Sequence, residues 1–360
     1  MTVVKDATDV GLEMDSSDEA LCEMLGLPSL AIAKATDQGD ESCMAHEDDD
    51  EPPRQSLDEL LRLETTWIQR QVDQHKLHEE YIEHSVCVLP ESLRVPGHVM
   101  RRLTDELVWG SSDEQNRKVD KTYETIQVLK AGQVQERKTL TRLENFCNHH
   151  EGWKSLCNDY LRRCISAILG EPMVLYKEKL NLKPKGGSGF APHVDAPSLH
   201  VALGDDGPQT FVTVMVAIDD ASTQNGCLRI AKGRWSRDTA CQVIPPQEDD
   251  NPDAGGRAGA IPLETADELD FHDLVCRGGT IVAFNGWLPH RSGPNQSAFN
   301  RRAVFLTYTP ASEGGNYHDA YYEKMEALRN EWRTKVGLVP SQISADDKLE
   351  LDALNTIPRI

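Results

Sequence analysis

MVLYKEKLNL, Met173–Leu182, is where the chain changes period. Upstream of Pro172 apolar residues recur at helical spacing. Across this stretch Val174, Tyr176, Glu178 and Leu180 oppose Leu175, Lys177, Lys179 and Asn181, an imperfect alternation with one mostly apolar face. Period two is the mark of a half-buried strand, because successive side chains leave a strand on opposite faces. Phe211–Asp219, Leu228–Ile230, Gly279–Phe284 and Ala303–Thr309 are further strand candidates, separated by turns that contain Gly and Pro. Short strands punctuated in this way predict a mainly β protein with helical additions, an antiparallel sandwich or jelly roll with the helices packed outside it.

On the N-terminal side, Leu57, Leu60, Leu61, Trp67, Ile68 and Val72 give Ser56–His78 a helical stripe that Glu64 interrupts, and Ser56 with Glu59 has the spacing of a capping box. Tyr81–Leu89 reads as a strand or an extended lead-in, and Pro96–Trp109 resumes helical spacing through Met100, Leu103 and Leu107. Residues 110–138 are polar without a period; a second helical stretch is expected from near Arg142 through Phe146 and Trp153–Leu169, ending at Gly170–Pro172. The expected organisation is an acidic, loosely held leader over 1–55, a helical region over 56–172, a jelly-roll core over 173–310 with a polar insertion at 235–270, and a C-terminal helix and tail over 311–360. Tyr321, Met325, Leu328 and Trp332 carry the helical pattern of that last part.

The formal charge is -21, from 59 acidic against 38 basic side chains, and such a field repels nucleic-acid phosphates and anionic membranes. Nucleic acid is therefore not expected as a partner. The nine cysteines are scattered, odd in number and without a C-x-x-C pair, and no apolar run approaches the roughly 20 residues of a membrane span. A reduced, cytoplasmic protein with no transmembrane segment is the expectation.

Ala191–Pro192–His193–Val194–Asp195 carries the chemistry. On an extended segment His193 and Asp195 point to one face. His290, in Leu288–Pro289–His290–Arg291–Ser292, could complete a set of two histidines and one carboxylate. Three ligands on one octahedral face leave positions open for a co-substrate and oxygen, which suits iron(II); zinc stays open, although no finger-like Cys–His spacing accompanies the set. A dicarboxylate co-substrate needs a cation, and Arg301 and Arg302 stand at the head of Ala303–Thr309, where alternation lets one of them face inward or both cap a strand edge. Lys177 and Lys179 share a strand face that either is solvated or meets an anion, a phosphonate or the co-substrate carboxylate. Asn225–Gly226 reads as a turn, Cys227 as a small buried residue, and Phe190 and Trp287 as walls beside the ligand-bearing segments. His200, His272, His318 and Tyr308 are assigned to structure.

Taken in order, His193-x-Asp195, Asn225–Gly226–Cys227–Leu228, His290–Arg291–Ser292–Gly293–Pro294–Asn295 and the arginine pair resemble the phytanoyl-CoA dioxygenase family of iron(II)/2-oxoglutarate oxygenases. The resemblance covers approximately Val174–Pro310, with a less diagnostic preface from Tyr81. It implies a double-stranded β-helix, with iron(II) held by His193, Asp195 and His290. It also implies 2-oxoglutarate salt-bridged by Arg301, eleven residues after the distal histidine, with Ser292 beside it. Oxygen would be consumed, succinate and carbon dioxide released, and ascorbate act as a stimulant. Tyr176–Asn181, Gly186–His193, Thr213–Met215 and Asp219–Asp220 resemble, more narrowly, the branch that hydroxylates aminoethylphosphonates and their trimethylated relatives. The expected activity is hydroxylation of a small polar or charged metabolite, with a homo-oligomer left open. A protein or peptide hydroxylase of the same chemistry and a non-catalytic metal-binding module are the competing readings.

Overall fold

The computed structural model describes residues 3–5, 56–109, 119–130, 133–244 and 258–335. Two units are distinguished, and the smaller contributes, among the described residues, β1 (Val3–Lys5) and the tip of a hairpin. In it β1 runs parallel to β3 (Asp120–Lys130), with Val3 opposite Gln127. The rest of the expected leader, residues 1–2 and 6–55, lies outside the described residues, as do residues 245–257 of the insertion and the tail beyond 335.

The larger unit opens with three short helices, α1 (Leu57–Arg62), α2 (Thr65–Gln74) and α3 (Leu77–His84). The capping box is present: Ser56 Oγ accepts from Glu59 N at 3.2 Å while Glu59 Oε2 accepts from Ser56 N at 2.8 Å. Glu64, which interrupts the apolar stripe, has extended backbone and starts α2, so the single expected helix is broken there and again at the left-handed Lys76. Tyr81 belongs to α3, and only β2 (Val86–Val88) is extended in the segment read as a lead-in. α4 (Gly97–Trp109) follows as expected.

The structure corrects the expectation for 110–146. β3 (Asp120–Lys130) and β4 (Gln133–Glu144) form strands, and Arg142 lies in β4 rather than at a helix start. Of their side chains described, only Thr141 and Leu143 are buried, so the hairpin writes no apolar stripe into the sequence. Helix resumes with α5 (Glu151–Ser155), passes through a π-helical turn at Leu156–Leu161 and ends as α6 (Arg162–Leu169) at the left-handed Gly170.

Two sheets form the core. The larger holds β3, β4, β5 (Met173–Lys183), β12 (Arg301–Pro310), β7 (Val212–Ala217), β10 (Ile281–Asn285) and β2 in that order, antiparallel where β4, β5, β12, β7, β10 and β2 meet. The smaller holds β6 (Phe190–His193), β11 (His290–Ser292), β8 (Leu228–Ala231) and β9 (Phe271–Leu274), all antiparallel. Alternation assigns the faces. Val212, Val214 and Val216 of β7, with Val304, Leu306 and Tyr308 of β12, pack against the helices. Met215, Ala217, Phe284 and Ala303 pack inward with Leu228 and Ile230 of the smaller sheet. Two antiparallel sheets joined through their inner faces, with helices on one outer face, make a double-stranded β-helix, or jelly roll.

β5 carries a bulge that explains its imperfect alternation. Thr307 pairs with Lys177 but Tyr308 with Leu175, so Tyr176 is the extra residue. Met173 and Leu175 therefore face the helices, while Lys177, Lys179 and Asn181 face the cleft between the sheets. After α7 (Ala196–Leu203) come two short helices, α8 (Arg237–Ala240) and α9 (Leu263–Asp267), and the C-terminal helix α10 (His318–Lys335) packs through Tyr321 and Tyr322 beside Tyr176, α7 and Phe211. No helix among the described residues is long and apolar enough to cross a membrane.

Candidate metal centre

β6 ends at His193, and the chain turns directly into α7, with Asp195 already in helical backbone (φ -82°, ψ -39°). The pair thus converges by a strand-to-helix turn, and not by alternation along one strand as the sequence reading assumed. Gly286 fastens the turn, its carbonyl accepting from both Asp195 N and Ala196 N at 2.9 Å. β11 brings in the third residue, because His290 stands directly opposite His193 in the sheet.

Both imidazoles are oriented by the main chain. His193 Nδ1 lies 2.7 Å from Ala191 O and His290 Nδ1 lies 3.0 Å from Leu288 O, so each Nδ1–H donates to a carbonyl and each Nε2 keeps its lone pair. Each Nε2 lies 3.8 Å from Asp195 Oδ1. Two atoms bound to one ion at roughly 2.1 Å are at most about 4.2 Å apart, so those separations admit a shared ion. Both histidines are buried and Asp195 half-buried. Its second oxygen accepts from Thr213 Oγ1 at 2.9 Å, a bond that fixes which oxygen faces the imidazoles. Two nitrogens and one oxygen on one side, with cleft on the other, are the donor set of a facial iron(II) site.

The arginine pair divides as alternation requires. Arg302 leaves the cleft: its Nε and Nη2 donate to the two oxygens of Asp219 at 2.8 Å each, and Nη1 donates to Asp105 at 2.8 Å. Arg301 turns inward, buried to 5% exposure, and its Nε has no hydrogen-bond partner among the described residues. Burial pushes its pKa down from the ordinary arginine value, yet a guanidinium keeps its charge in a protein. An unsatisfied buried cation lining the same cleft as the three ligands calls for an anion.

Lys183, opposite Arg301 in the β5–β12 ladder, was not singled out by the sequence. Its Nζ donates to Ser292 Oγ at 2.9 Å, Gly293 O at 2.6 Å and Gly226 O at 3.2 Å. Burial first, and Arg301 second, bring its pKa down to about 7. Ser292 Oγ accepts from Lys183 and from Phe190 N at 3.2 Å, which leaves its own O–H to donate into the cleft. Gly226 has φ +70°, the turn conformation read for Asn225–Gly226.

Lys177 and Lys179 line the cleft toward the other end of β5. Six residues separate Lys177 from Lys183, about 20 Å of strand. Lys177 Nζ lies 3.3 Å from Glu144 Oε1 and 5.0 Å from the centre of the Tyr321 ring; burial works against its charge, but Tyr321 and Glu144 outweigh it and the pKa rises. Lys179 Nζ stands over the Phe305 ring. Phe190 lines the cleft as expected, whereas Trp287, partly buried, packs against the apolar clusters around Phe211 and around Val194. Cys227 is buried, its thiol pushed up by burial, and takes no part in the ligand set. His200 packs edge-on to Phe211, His272 sits exposed beside Asp270, and Tyr308 donates to Cys157 O in the core. Thr213 could have been found from sequence, since a lone hydroxyl in the apolar run VTVMVA must meet a buried partner.

The sequence pattern of the phytanoyl-CoA dioxygenase (PhyH) family matches residues 100–303, more than half of the chain. A 2-aminoethylphosphonate dioxygenase from an uncultured bacterium, HF130_AEPn_1, is 38% identical over 188 residues, which cover 52% of this chain and 65% of that protein. A methylphosphonate hydroxylase from Gimesia maris is 32% identical over 188 residues, with the same 52% and 65% coverage. The matches thus span just under two thirds of each relative. Among solved structures, AviO1 from Streptomyces viridochromogenes Tue57 superposes with TM-score 0.47 at 20% identity, covering 66% of this chain and 95% of that one. The matched span carries all three converging ligands and the inward arginine, and this chain belongs to the phytanoyl-CoA dioxygenase family.

Proposed function

We propose that the protein is an iron(II)- and 2-oxoglutarate-dependent hydroxylase of a small anionic metabolite, with a phosphonate as the preferred class. The observation that carries this reading is the unpartnered Arg301 guanidinium in the same cleft as His193, Asp195 and His290. When bound, iron(II) with 2-oxoglutarate and oxygen supplies the oxidising power to hydroxylate an unactivated C–H bond, succinate and carbon dioxide being the co-products.

His193, Asp195 and His290 would hold the ion from one side. Arg301 would take the distal carboxylate of 2-oxoglutarate in a bidentate, charge-assisted bond, with Ser292 donating its hydroxyl and Lys183 adding a second positive charge. Lys177 is too far along β5 to share that carboxylate. It lies instead level with the metal ligands, because Lys177 pairs with Thr307, Thr307 with Thr213, and Thr213 bonds Asp195. A cation there is placed to hold a substrate anion while the C–H bond is presented to the metal.

Asp195 is the only carboxylate lining the cleft among the described residues, and its place is on the metal. No carboxylate is left to face an ammonium group, so the phosphonate end is the handle that orients the substrate. Leu199, Phe190 and Phe305 provide the apolar wall that limits water.

The test is succinate release under air, with Fe(II) and 2-oxoglutarate, on addition of 2-aminoethylphosphonate, its trimethylated analogue, or a quaternary amine bearing no anion. Both phosphonates are expected to raise succinate formation well above the uncoupled rate, and the anion-free amine to leave it there. Stimulation by the amine alone would contradict an anionic handle. Stimulation only by peptides would replace the small-molecule reading with that of a peptide hydroxylase.

A further inference from the structure

Glu178 lies between the two cleft lysines on β5 and points the other way, fully buried. β4 stops pairing one residue earlier, with Glu144 opposite Lys179, and then turns away through Asn145 at φ +57°. The main-chain groups of Glu178 are taken by α10 instead: its N–H donates to the Tyr322 hydroxyl at 3.2 Å, and that hydroxyl donates to the Glu178 carbonyl at 2.8 Å. A tyrosine therefore stands where the next residue of β4 would be.

The carboxylate is held as firmly. Glu178 Oε1 accepts from Cys147 N at 2.9 Å, and Oε2 lies 2.7 Å from His318 Nε2. The other nitrogen, His318 Nδ1, lies 3.1 Å from Asp319 Oδ1, and Asn148 bridges to the same carboxylate at 2.9 Å. An imidazole with a carboxylate at each nitrogen donates to both when the ring is doubly protonated. Burial opposes that charge, but Glu178 and Asp319 prevail and raise the His318 pKa above its ordinary value. Tyr322 packs edge-on to the His318 ring, and Tyr321, the neighbouring residue on α10, presents its ring to Lys177.

We propose that His318 and Tyr322 are positioning residues for substrate: by locking α10 to β5 at Glu178, they hold Lys177 in the cleft, braced between Tyr321 and Glu144. This rests on the reading that Lys177 meets the substrate anion. The bulge at Tyr176 sets the face on which Lys177 leaves β5, because a shift by one residue there would turn Lys177 toward the helices, and the lock holds the strand at the residue next to it.

Two variants test the lock. Tyr322→Phe removes the hydroxyl that bonds both main-chain groups, and His318→Gln removes the positive charge while keeping a donor. Acetic anhydride footprinting of the whole protein, read at the Lys177 peptide by mass spectrometry, needs no turnover. Lys177 is expected to be acetylated about tenfold faster in both variants, while Lys183, in its own cage at the far end of the strand, keeps its wild-type rate. Equal Lys177 rates in wild type and variants would overturn the proposal, as would equal acceleration of Lys183, which would mean general loosening.

In turnover with 2-aminoethylphosphonate, both variants should raise the KM for the phosphonate about tenfold, with the KM for 2-oxoglutarate within twofold of wild type. The KM ratio between His318→Gln and wild type should fall toward one as pH rises through the His318 titration, since the wild type then loses the same charge. A ratio independent of pH would sink the role of the charged ring. Faster labelling of Lys177 with an unchanged phosphonate KM would leave the lock standing and remove Lys177 from the substrate site.

Discussion

Arg301 and Arg302 are adjacent in sequence and have opposite surroundings, so their alanine variants should fail differently. Arg301→Ala is expected to weaken 2-oxoglutarate about a hundredfold, the loss of a bidentate charge-assisted pair, with Fe(II) affinity unchanged; an anaerobic titration of each ligand checks it. Arg302→Ala should leave 2-oxoglutarate binding intact and lower the melting temperature, because Asp219 and Asp105 lose their partner. Thr213→Val should cost roughly tenfold in metal affinity, measured by competition with a chelator, since Asp195 loses the bond that orients its second oxygen. The pKa of Lys183, brought down to about 7, carries a further consequence. Below its ordinary value the folded lysine sheds its proton as pH rises past 7, so near pH 8 most molecules hold it neutral until the dicarboxylate arrives and draws the proton back. Calorimetry of 2-oxoglutarate binding at pH 8, in buffers of different ionisation enthalpy, should therefore show proton uptake, and none in Lys183→Met. Much of this site was legible as residue types: His193, Asp195, His290, Ser292 and Arg301 are all brought to one cleft, while Arg302 turns away from it to Asp219 and Asp105. Lys183 was not, because its importance lies in partners that only the folded chain supplies; Thr213 stood out as a lone hydroxyl in an apolar run, but its partner Asp195 is visible only in the fold.

Strand β5 shows what a periodic reading can and cannot deliver at the scale of an element. Alternation identified the strand and placed Lys177 with Lys179, but it also placed Leu175 on the same face. The bulge at Tyr176 switches the parity between Leu175 and Lys177, and a single extra residue has no signature in polarity. The hairpin β3–β4 was hidden for a different reason, since among its described side chains only Thr141 and Leu143 are buried. Helices α1 and α2 and the first residues of α3 were seen as one because the breaks at Glu64 and Lys76 come from backbone angles and neither residue is a strong breaker, while the rest of α3 was read as extended. Glycine, by contrast, was legible. Gly226 adopts φ +70°, and a β-carbon there would strike the carbonyl of Gly293, one of the acceptors around Lys183. Gly226→Ala should destabilise the fold by about 1–3 kcal/mol in urea unfolding and weaken 2-oxoglutarate more than iron. Unchanged stability would mean that the turn relaxes at no cost.

The whole molecule divides its labour between the two faces of the larger sheet. The outer face, with Val214, Val304 and Leu306, joins the helices in one large core, and the inner face combines an apolar layer of Met215, Ala217, Phe284 and Ala303 with the charged side chains Lys177, Lys179 and Arg301 that line the cleft. Overall charge is a poor guide to this arrangement: the chain carries -21, yet Lys177, Lys179, Arg291 and Arg301 make the cleft lining cationic. Everything proposed for turnover depends on His193, Asp195 and His290 acting on one ion, although they come from β6, the first residue of a helical turn and β11. Anaerobic Fe(II) titration of the wild type and His290→Ala tests that directly. One ion per chain is expected to bind the wild type, with affinity reduced at least a hundredfold in the variant; equal affinity in the two proteins would contradict a shared centre.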